Sequence, residues 1–180
     1  MKIGVNSRLY QNNKTGIPYY IEQLYKNLLE IDKKNKYIFF QTDARRTLGK
    51  TRVANMPFLK FLQAPLFDIF LVNLLIKKEK IDIYHSPSFI LPFKKFKNVK
   101  YIVTIHDLSF LILPEYQSKS FYYYFKFLVG ISIKNADIII ADSVNTANDI
   151  IKFYKIKRDK INVVYPGINK VFFSVKIAFL

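Results

Sequence analysis

The sequence has no cysteine and no tryptophan, only five glycines, and 13 acidic residues against 29 basic ones. Without cysteine the chain cannot form a disulfide scaffold or a thiolate site for metal or redox chemistry. Residues 1–8 hold no apolar run of the kind that a secretory signal needs, which predicts a cytoplasmic chain. The hydrophobic fraction of 51% excludes disorder, so we expect one folded domain with its own core.

An uninterrupted hydrophobic segment is also lacking. The most apolar part of the chain, residues 56–76, is broken by polar residues and a proline, whereas a membrane-spanning helix needs about 20 residues almost free of such groups. We therefore interpret this part as two short amphipathic pieces. The residues that interrupt it are Lys60, Gln63, Pro65, Asp68 and Asn73.

The excess of basic residues is spread evenly, with 15 in residues 1–90 and 14 in residues 91–180. Lysine supplies 24 of them and arginine, the residue that forks onto phosphates, only five. The even spread and the scarcity of arginine argue against a nucleic-acid partner. Two interpretations stay open: solvated lysines that reflect a coding bias, or attraction to an anionic surface, with membrane phospholipid favoured over DNA.

Short apolar runs alternate with longer helical patterns along the chain. This alternation, with near-continuous apolar runs such as residues 138–140, predicts a parallel sheet covered on both faces. The expected fold is α/β, a single doubly wound Rossmann-like domain with a mostly parallel sheet. Residues 42–55 are polar and without period, so a loop is predicted there. Strands are predicted at 2–6, 37–41, 81–85, 101–105, 137–141 and 161–164, and helices at 18–31, 65–80, 118–135 and 144–154, the last with Ser143 as its cap.

The ligands of such a sheet bind where the loops at the C-terminal ends of the strands converge. The loop that ends at Gly16 also precedes a helix whose first turn offers unpaired N–H groups to an anion, although a plain loop-to-helix connection is the alternative. This loop has one glycine where a dinucleotide fingerprint has three. Position alone nominates Gly16, His85, Ser86, His106, Asp107 and Ser143.

Other nucleotide-binding and catalytic motifs are incomplete. Residues 44–51 lack the first glycine of a P-loop, and Pro57 would cut short the helix that should follow, so a mobile surface loop is the better interpretation. His85, His106 and Asp107 lack the spacing of a known metal site, and no G-x-S-x-G is present to support a Ser-His-Asp triad. What remains is a histidine at a strand end, which either donates from a neutral ring to a hydroxyl or a carbonyl or merely caps the turn.

Several short segments occur in a particular order and spacing, and this pattern is more specific for one kind of protein than any single segment. The most distinctive are residues 103–109, Val-Thr-Ile-His-Asp-Leu-Ser, and residues 163–168, Val-Val-Tyr-Pro-Gly-Ile. Taken together, the segments closely resemble the N-terminal half of family 4 glycosyltransferases, the retaining GT-B enzymes, and especially the mannosyltransferase-like branch that builds polysaccharides. The resemblance extends from residue 1 to about residue 173. The other matching segments are 15–20 with Leu28-Leu29, 82–87, Pro114-Glu115, 136–143 and 160–162.

The resemblance implies roles for particular residues. In this family the loop that here ends at Gly16 lies over the donor diphosphate and near the acceptor, and the histidine that here is His106 faces the transferred sugar, which makes it the expected catalytic residue. Residues 142–143 would line the acceptor side of the cleft. The form Gly-Ile-Gly-Arg-Tyr, common in the family, appears here as Gly-Ile-Pro-Tyr-Tyr at residues 16–20, so the contribution of the arginine is missing. The expected substrate-binding set is Thr15, Gly16, His85, Ser86, Asp107, Asp142 and Ser143.

The resemblance also implies half of an enzyme. Residues 1–165 would form the acceptor-side domain, and residues 166–180 the start of the interdomain linker and a truncated tail. The family's second domain, which binds the nucleotide-sugar, has no counterpart in the sequence, so activity is expected to need a separately encoded C-terminal GT-B domain. The expected reaction is transfer of a hexose, such as mannose, to a saccharide or lipid-linked acceptor with retention, without a metal or other cofactor. The alternative is a non-catalytic fragment, or a remnant that binds glycan or lipid.

Acceptors in this branch are usually lipid-linked, which fits two basic, aromatic-rich stretches at residues 58–61 and 121–127. The second stretch lies in the predicted helix 118–135, which is apolar on most sides and is expected to be buried or to touch lipid or a partner. This interpretation predicts peripheral contact with an anionic membrane at the inner face. The alternative places the same aromatic residues in the core.

Overall fold

A computed structural model describes residues 1–11, 16–43, 45–54 and 66–167 of the 180-residue chain. Seven strands form one sheet in the order β3-β2-β1-β4-β5-β6-β7, and every pair of neighbours is parallel. The predicted doubly wound α/β domain is confirmed, and the described sheet is parallel throughout rather than mostly so. The strands are β1 Lys2–Asn6, β2 Lys36–Gln41, β3 Thr51–Val53, β4 Ile83–Ser86, β5 Lys100–Ile105, β6 Ile138–Ala141 and β7 Ile161–Val163.

Helices connect most of these strands. A π-helical turn, Phe67–Leu71, runs directly into α2, and 3-10 turns lie at Arg8–Gln11, Pro114–Tyr116 and Arg158–Lys160. The α-helices are α1 Ile17–Ile31, α2 Val72–Glu79, α3 Ser109–Ile112, α4 Lys119–Asn135 and α5 Val144–Tyr154.

Helix ends follow the local chemistry that the sequence offers. Pro18 stands in the first turn of α1, where its missing N–H costs nothing, and Gly16 before it has φ +60° and ψ −132°, a conformation that side-chain-bearing residues rarely adopt. The Ser143 Oγ accepts a hydrogen bond from the Thr146 N–H at 3.0 Å, which confirms the predicted cap of α5. The helix α5 ends at Lys155, whose φ of 55° is left-handed.

Two clusters of buried side chains hold the layers together. From β1 the chain moves to β2 toward one edge of the sheet, and from β5 it moves through β6 to β7 toward the opposite edge. Connections between parallel strands are right-handed, so α1 lies on one face of the sheet and α4 and α5 lie on the other. The smaller cluster lies under α1, and the larger one lies between the sheet and α2, α4 and α5. The smaller cluster contains Val5, Tyr10, Ile21, Tyr25 and Phe39.

Three sequence predictions need correction. The predicted loop 42–55 contains β3, which pairs with β2 from Phe39 opposite Thr51, but three residues on a polar sheet edge are too short to show a period. The single-turn helix α3 was not predicted for the same reason. The interpretation of residues 56–76 as two short amphipathic pieces did not anticipate that Asp68, one of the polar residues that interrupt this run, is buried.

The helix α4 has two different sides. Leu128, Val129, Ser132 and Ile133 face the core, as the prediction of burial requires, while Tyr123 and Phe127 are exposed. Among the described helices, none combines the length and the apolar composition that spanning a bilayer requires. Thr15, the stretch 58–61 and most of the predicted linker and tail, residues 168–180, lie outside the described residues.

The order of strands fixes where a ligand can enter. The strands β1 and β4 are parallel neighbours, but the chain continues from β1 toward one edge of the sheet and from β4 toward the other. At such a switch point a crevice opens at the C-terminal ends of the strands. The residues that follow β1, β4, β5 and β6 therefore converge at one edge of the sheet.

Candidate functional site

His106 follows β5 at this edge, and both of its ring nitrogens are engaged. Nδ1 lies 2.7 Å from the Asp142 Oδ2, and Nε2 lies 2.9 Å from the backbone oxygen of Pro87. A carboxylate and a backbone oxygen both accept, so this arrangement favours a ring that donates from both nitrogens, as an imidazolium does. Burial by itself lowers the pKa of His106, but the hydrogen bonds to Asp142 and Pro87 outweigh it and raise the pKa above its usual value of 6.5.

Two aromatic rings enclose the His106 ring. Tyr20 meets it edge-on with the ring centroids 4.9 Å apart, and Phe89 meets it at 5.5 Å. Tyr20 lies one turn into α1, and its N–H donates to the Gly16 oxygen at 3.0 Å. Burial raises the pKa of the Tyr20 phenol, with a smaller upward contribution from the negative charge of Asp142 and an opposing hydrogen bond from Thr104. The start of α1, and with it Gly16, is thus placed next to His106.

His85 lies deeper, at the end of β4, with 6% of its surface exposed. Its Nδ1 makes a short hydrogen bond with the Tyr25 hydroxyl, and its Nε2 lies 2.9 Å from the Thr104 Oγ1. Burial lowers the pKa of His85 to about 3, assisted by the nearby charge of His106. This histidine is therefore neutral, and Thr104, which also hydrogen-bonds Tyr20, connects it to the residues around His106.

The loop after β6 closes the far side of the site. Ser143 caps α5 and also lies 3.0 Å from the Thr146 Oγ1, which in turn donates to the His106 backbone oxygen at 3.0 Å. Asp142 holds His106 through one carboxylate oxygen, while the other, Oδ1, is buried without a hydrogen-bond partner among the described residues.

The remaining predicted residues are placed differently. Ser86 is fully buried and its Oγ has no partner within the described part of the chain. Asp107 is exposed, and its Oδ1 accepts from the Ser109 N–H at 2.9 Å, so it forms the turn that begins α3. The structure thus joins His106 to Asp142 directly, to Ser143 through Thr146 and to Gly16 through Tyr20. Ser86 and His85 lie beneath the surface, and Asp107 forms a local turn.

A second polar cluster lies at the end of β1 and was not predicted. The Asp68 carboxylate receives Arg8 Nη2 at 2.7 Å and Nε at 3.2 Å, and the Asn6 Nδ2 donates to it at 2.7 Å. This bidentate pair fastens the π-helical turn before α2 to the end of β1. The only signal in the sequence was the presence of a carboxylate within an apolar run. A carboxylate that is buried in this way is almost always paired with another polar or charged group.

Tyr20, Tyr25 and Thr104 were also missed as parts of the site. Both tyrosines lie on the apolar side of α1. The helical period there predicts core packing and does not show that a tyrosine also contacts a histidine. Among the described residues, His, Asp and Glu side chains do not meet in a group of three that could hold a metal ion. The arrangement favours a positive charge on the His106 ring, which lies beside the start of α1.

Comparison with known proteins gives the family. The model of Glycosyltransferase Family 4 matches residues 16–171. The O-antigen chain mannosyltransferase RfbU of Salmonella typhimurium is 34% identical over 76 residues, which cover 41% of this chain and 20% of RfbU. The stretch of similarity to RfbU is thus a small part of that protein.

Solved structures share the fold. Anabaena HepE in complex with UDP superposes with a TM-score of 0.59 at 15% identity, covering 94% of this chain and 45% of HepE. A glycosyltransferase of Rickettsia africae gives a TM-score of 0.52 at 20% identity, covering 96% of this chain and 45% of that one. The chain thus spans about half the length of these GT-B glycosyltransferases. With its α/β architecture and a family match over most of its length, the chain belongs to glycosyltransferase family 4.

Proposed function

We propose that this chain is the acceptor-side domain of an enzyme that transfers a hexose from a nucleotide-sugar to a saccharide or lipid-linked acceptor with retention. Membership of the family supports glycosyl transfer, and RfbU, named a mannosyltransferase, makes mannose the first sugar to test. The observation that carries the proposal is the His106–Asp142 pair, held beside the start of α1 at the C-terminal edge of the sheet.

The proposed chemistry rests on charge. Transfer from a nucleotide-sugar builds negative charge on the leaving phosphate, and fixed positive charge near it lowers the barrier. The imidazolium of His106 and the positive end of α1 at Gly16 would supply such charge from this side of the cleft. Because both ring nitrogens already donate within the protein, His106 would act through its charge and not as a proton donor.

The acceptor would lie on the side of residues 142–143. The unpartnered Asp142 Oδ1 is an acceptor for a sugar hydroxyl after a small rearrangement of the loop. Donor binding would fall to a second GT-B domain, so the described domain supplies one wall of the active site. We propose no metal or other cofactor in its part of the reaction, and a location at the inner face of a cytoplasmic membrane.

Complementation tests this function. The 180-residue chain would be mixed with a separately expressed C-terminal GT-B domain, a membrane extract as acceptor and GDP-mannose or UDP-glucose, and labelled product would be counted. We expect no product from the chain alone and product from the mixture. The variant His106→Gln should lower the rate by about 10²-fold, the usual cost of one charge-stabilising group, while Ile31→Gln, on an exposed part of α1, should not change it.

Two outcomes would contradict the proposal. One is the absence of transfer with every donor and acceptor although both domains are folded. The other is an equal rate for the His106→Gln and Ile31→Gln variants. The configuration of the new bond, determined by NMR of the product, tests retention separately.

A further inference from the structure

The loop after β4, residues 87–91, is buried along its whole length, although connecting segments usually lie at the surface. We call these residues the β4 loop. Three hydrogen bonds fasten it, one to the residue that follows β5, one to β5 itself and one to α4. They join the Pro87 oxygen to the His106 Nε2 at 2.9 Å, the Phe89 N–H to the Thr104 oxygen at 3.2 Å, and the Leu91 N–H to the Ser132 Oγ at 2.8 Å.

Phe89, at the centre of the β4 loop, has an unusual backbone conformation. Its φ is +66°, in the left-handed region that bulky residues rarely adopt. The Ile90 N–H donates to the oxygen of Ser88, two residues earlier, at 2.7 Å. A hydrogen bond of this span around a residue with positive φ forms a γ-turn of the rare and strained kind. Such a conformation costs free energy and persists only where the surrounding contacts impose it.

The conformation of Phe89 differs in context from the other left-handed positions. Of the described residues other than glycine, Lys80 and Lys155 also have positive φ, at 52° and 55°. Both are exposed and end a helix, where a left-handed residue is common. Phe89 is buried within a loop, where glycine would adopt the same backbone without strain. A phenylalanine at this position therefore indicates that the ring itself is needed.

The ring of Phe89 lies between the site and helix α4. Its centroid is 5.5 Å from that of the His106 ring and 5.4 Å from that of the Phe125 ring, and both contacts are edge-on. The β4 loop thus reaches one imidazole twice, with the Pro87 oxygen at a ring nitrogen and with the Phe89 ring beside it. Relaxation of the backbone at Phe89 would move both groups away from His106.

We propose that Phe89 is a positioning residue for His106, and that the strained γ-turn holds the phenylalanine ring against the imidazole. Phe89 acts through His106, whose place relative to the transferred sugar it fixes. A displacement of about 1 Å in an active site can cost about 10²-fold in rate, so a rigid support for the imidazole has a direct use in catalysis. The part played in transfer rests on the proposed function, whereas the support of the ring does not.

Three substitutions separate the backbone from the ring. Phe89→Gly removes the strain and the ring, Phe89→Ala removes the ring alone, and Phe89→Leu keeps the strain and most of the bulk. Phe89→Gly should unfold at a higher urea concentration than Phe89→Ala, the reverse of the order inside a regular helix or strand. Lys155→Gly and Lys155→Ala are the matched controls, because they should show the same order without any change at His106.

The support of His106 is measured by NMR titration and by transfer kinetics. A loosened imidazole loses the hydrogen bonds that raise its pKa, so the midpoint of His106 should fall toward 6.5 in Phe89→Gly and Phe89→Ala and fall less in Phe89→Leu. With the second domain present, Phe89→Gly and Phe89→Ala should lower kcat about tenfold or more and leave KM for the nucleotide-sugar nearly unchanged. Phe89→Leu should retain most of the rate.

Ser132→Ala tests the β4 loop from its other end. The Ser132 hydroxyl is fully buried, accepts from the Leu91 N–H and donates to the Leu128 oxygen at 2.8 Å, so its loss releases the β4 loop from α4. The midpoint of His106 should fall in this variant too, by less than in Phe89→Ala. Because Phe89 itself stays in place, this variant tests the proposal even if no Phe89 variant folds.

Each contrary result is distinct. Equal urea midpoints for Phe89→Gly and Phe89→Ala would show that the turn is not strained. An unchanged or higher midpoint of His106 in every folded variant, or a wild-type rate in Phe89→Ala, would overturn the positioning role. Circular dichroism checks the fold of each variant. Absence of transfer in all proteins, the wild type included, would contradict only the proposed function, because unfolding and titration are measured on the 180-residue chain alone.

Discussion

The His106 Nδ1 and the Asp142 Oδ2 lie 2.7 Å apart, although the two residues are 36 positions apart in the chain. Each residue follows directly on one of two neighbouring parallel strands, β5 and β6, so the register of the sheet, with Ile105 opposite Ala141, brings them together. The carboxylate and the Pro87 oxygen hold the ring in one orientation and raise its pKa. The sheet therefore sets both the position and the charge of this histidine.

The variant Asp142→Asn should lower the pKa of His106. Removal of the carboxylate takes away the strongest upward contribution, while burial, which acts downward, remains. The chain has only two histidines, so NMR titration of the ring protons resolves His106 without selective labelling. Asp107→Asn is the matched control and should lower the midpoint less, because Asp107 contributes least among the charges that raise it. An unchanged midpoint in Asp142→Asn would contradict the assigned pair.

The free energy of unfolding should depend on pH through the His106–Asp142 pair. Because the folded pKa of His106 lies above its unfolded value of about 6.5, its stabilisation is complete below pH 6.5 and is lost as the pH rises through the folded pKa. Urea unfolding at a series of pH values should show this loss in the wild type and much less of it in Asp142→Asn. Equal pH slopes of the two proteins in that window would argue against the raised pKa.

Protonation of His85 should change the stability of the fold in the opposite direction from protonation of His106. Its folded pKa of about 3 lies below the unfolded value, so protonation favours the unfolded chain and stability is lost as the pH falls from about 6.5 toward 3. The variant His85→Gln should flatten this part of the profile, at some cost in stability at neutral pH, because the amide replaces the bonds to Tyr25 and Thr104 imperfectly. His106→Gln serves as the comparison and should retain the acid loss.

Asp68→Asn should destabilise the fold by about 2 kcal/mol, since it leaves the partly buried Arg8 guanidinium without its carboxylate. Chemical denaturation measures the change. Lys26→Ala, which removes an exposed i,i+4 pair with Glu22, should have a clearly smaller effect. Similar losses in the two variants would mean that the Asp68 cluster does not hold the π-helical turn as described.

Gly16→Ala should cost about 1–2 kcal/mol of stability through backbone strain alone, because φ is +60° and no atom lies within 4 Å of the added methyl group. Hydrogen exchange should show faster opening of the first turn of α1, next to Tyr20. Gly167→Ala is the control, since it too has an open surrounding but no positive φ, and should change stability little. A neutral Gly16→Ala would show that this turn is free to rearrange.

The sheet could be predicted well because its strands are continuous apolar runs. Residues 138–140 are all isoleucine, and a continuous apolar run between helical patterns is typical of a strand in a parallel sheet, although Ile138 is partly exposed here. Strand ends then indicated the edge where His106 and Asp142 lie. The strand β3 escaped prediction, since Thr51–Val53 depends on its partner β2 and not on a local pattern.

The internal contacts of the site were much less predictable. The pKa of His106 is raised and that of His85 is lowered because different groups surround the two rings, whereas the local sequences are similar, each placing a histidine at the end of a predicted strand. Only the tertiary structure brings Tyr25 to one ring and Asp142 to the other. The burial of Asp68 likewise depends on Arg8, 60 residues away.

The pairing of β1 with β4 has a consequence for biosynthesis. Lys2 is joined to Asp82 by hydrogen bonds across 80 residues, from the Lys2 N–H to the Asp82 carboxylate at 2.7 Å and from the Asp82 N–H to the Lys2 oxygen at 2.9 Å. At a translation rate of about 5–20 residues per second, the first strand waits roughly 4–16 s on the ribosome with one edge unpaired. An unpaired strand edge invites association with other nascent chains, so chaperone protection during those seconds should govern the yield of this protein.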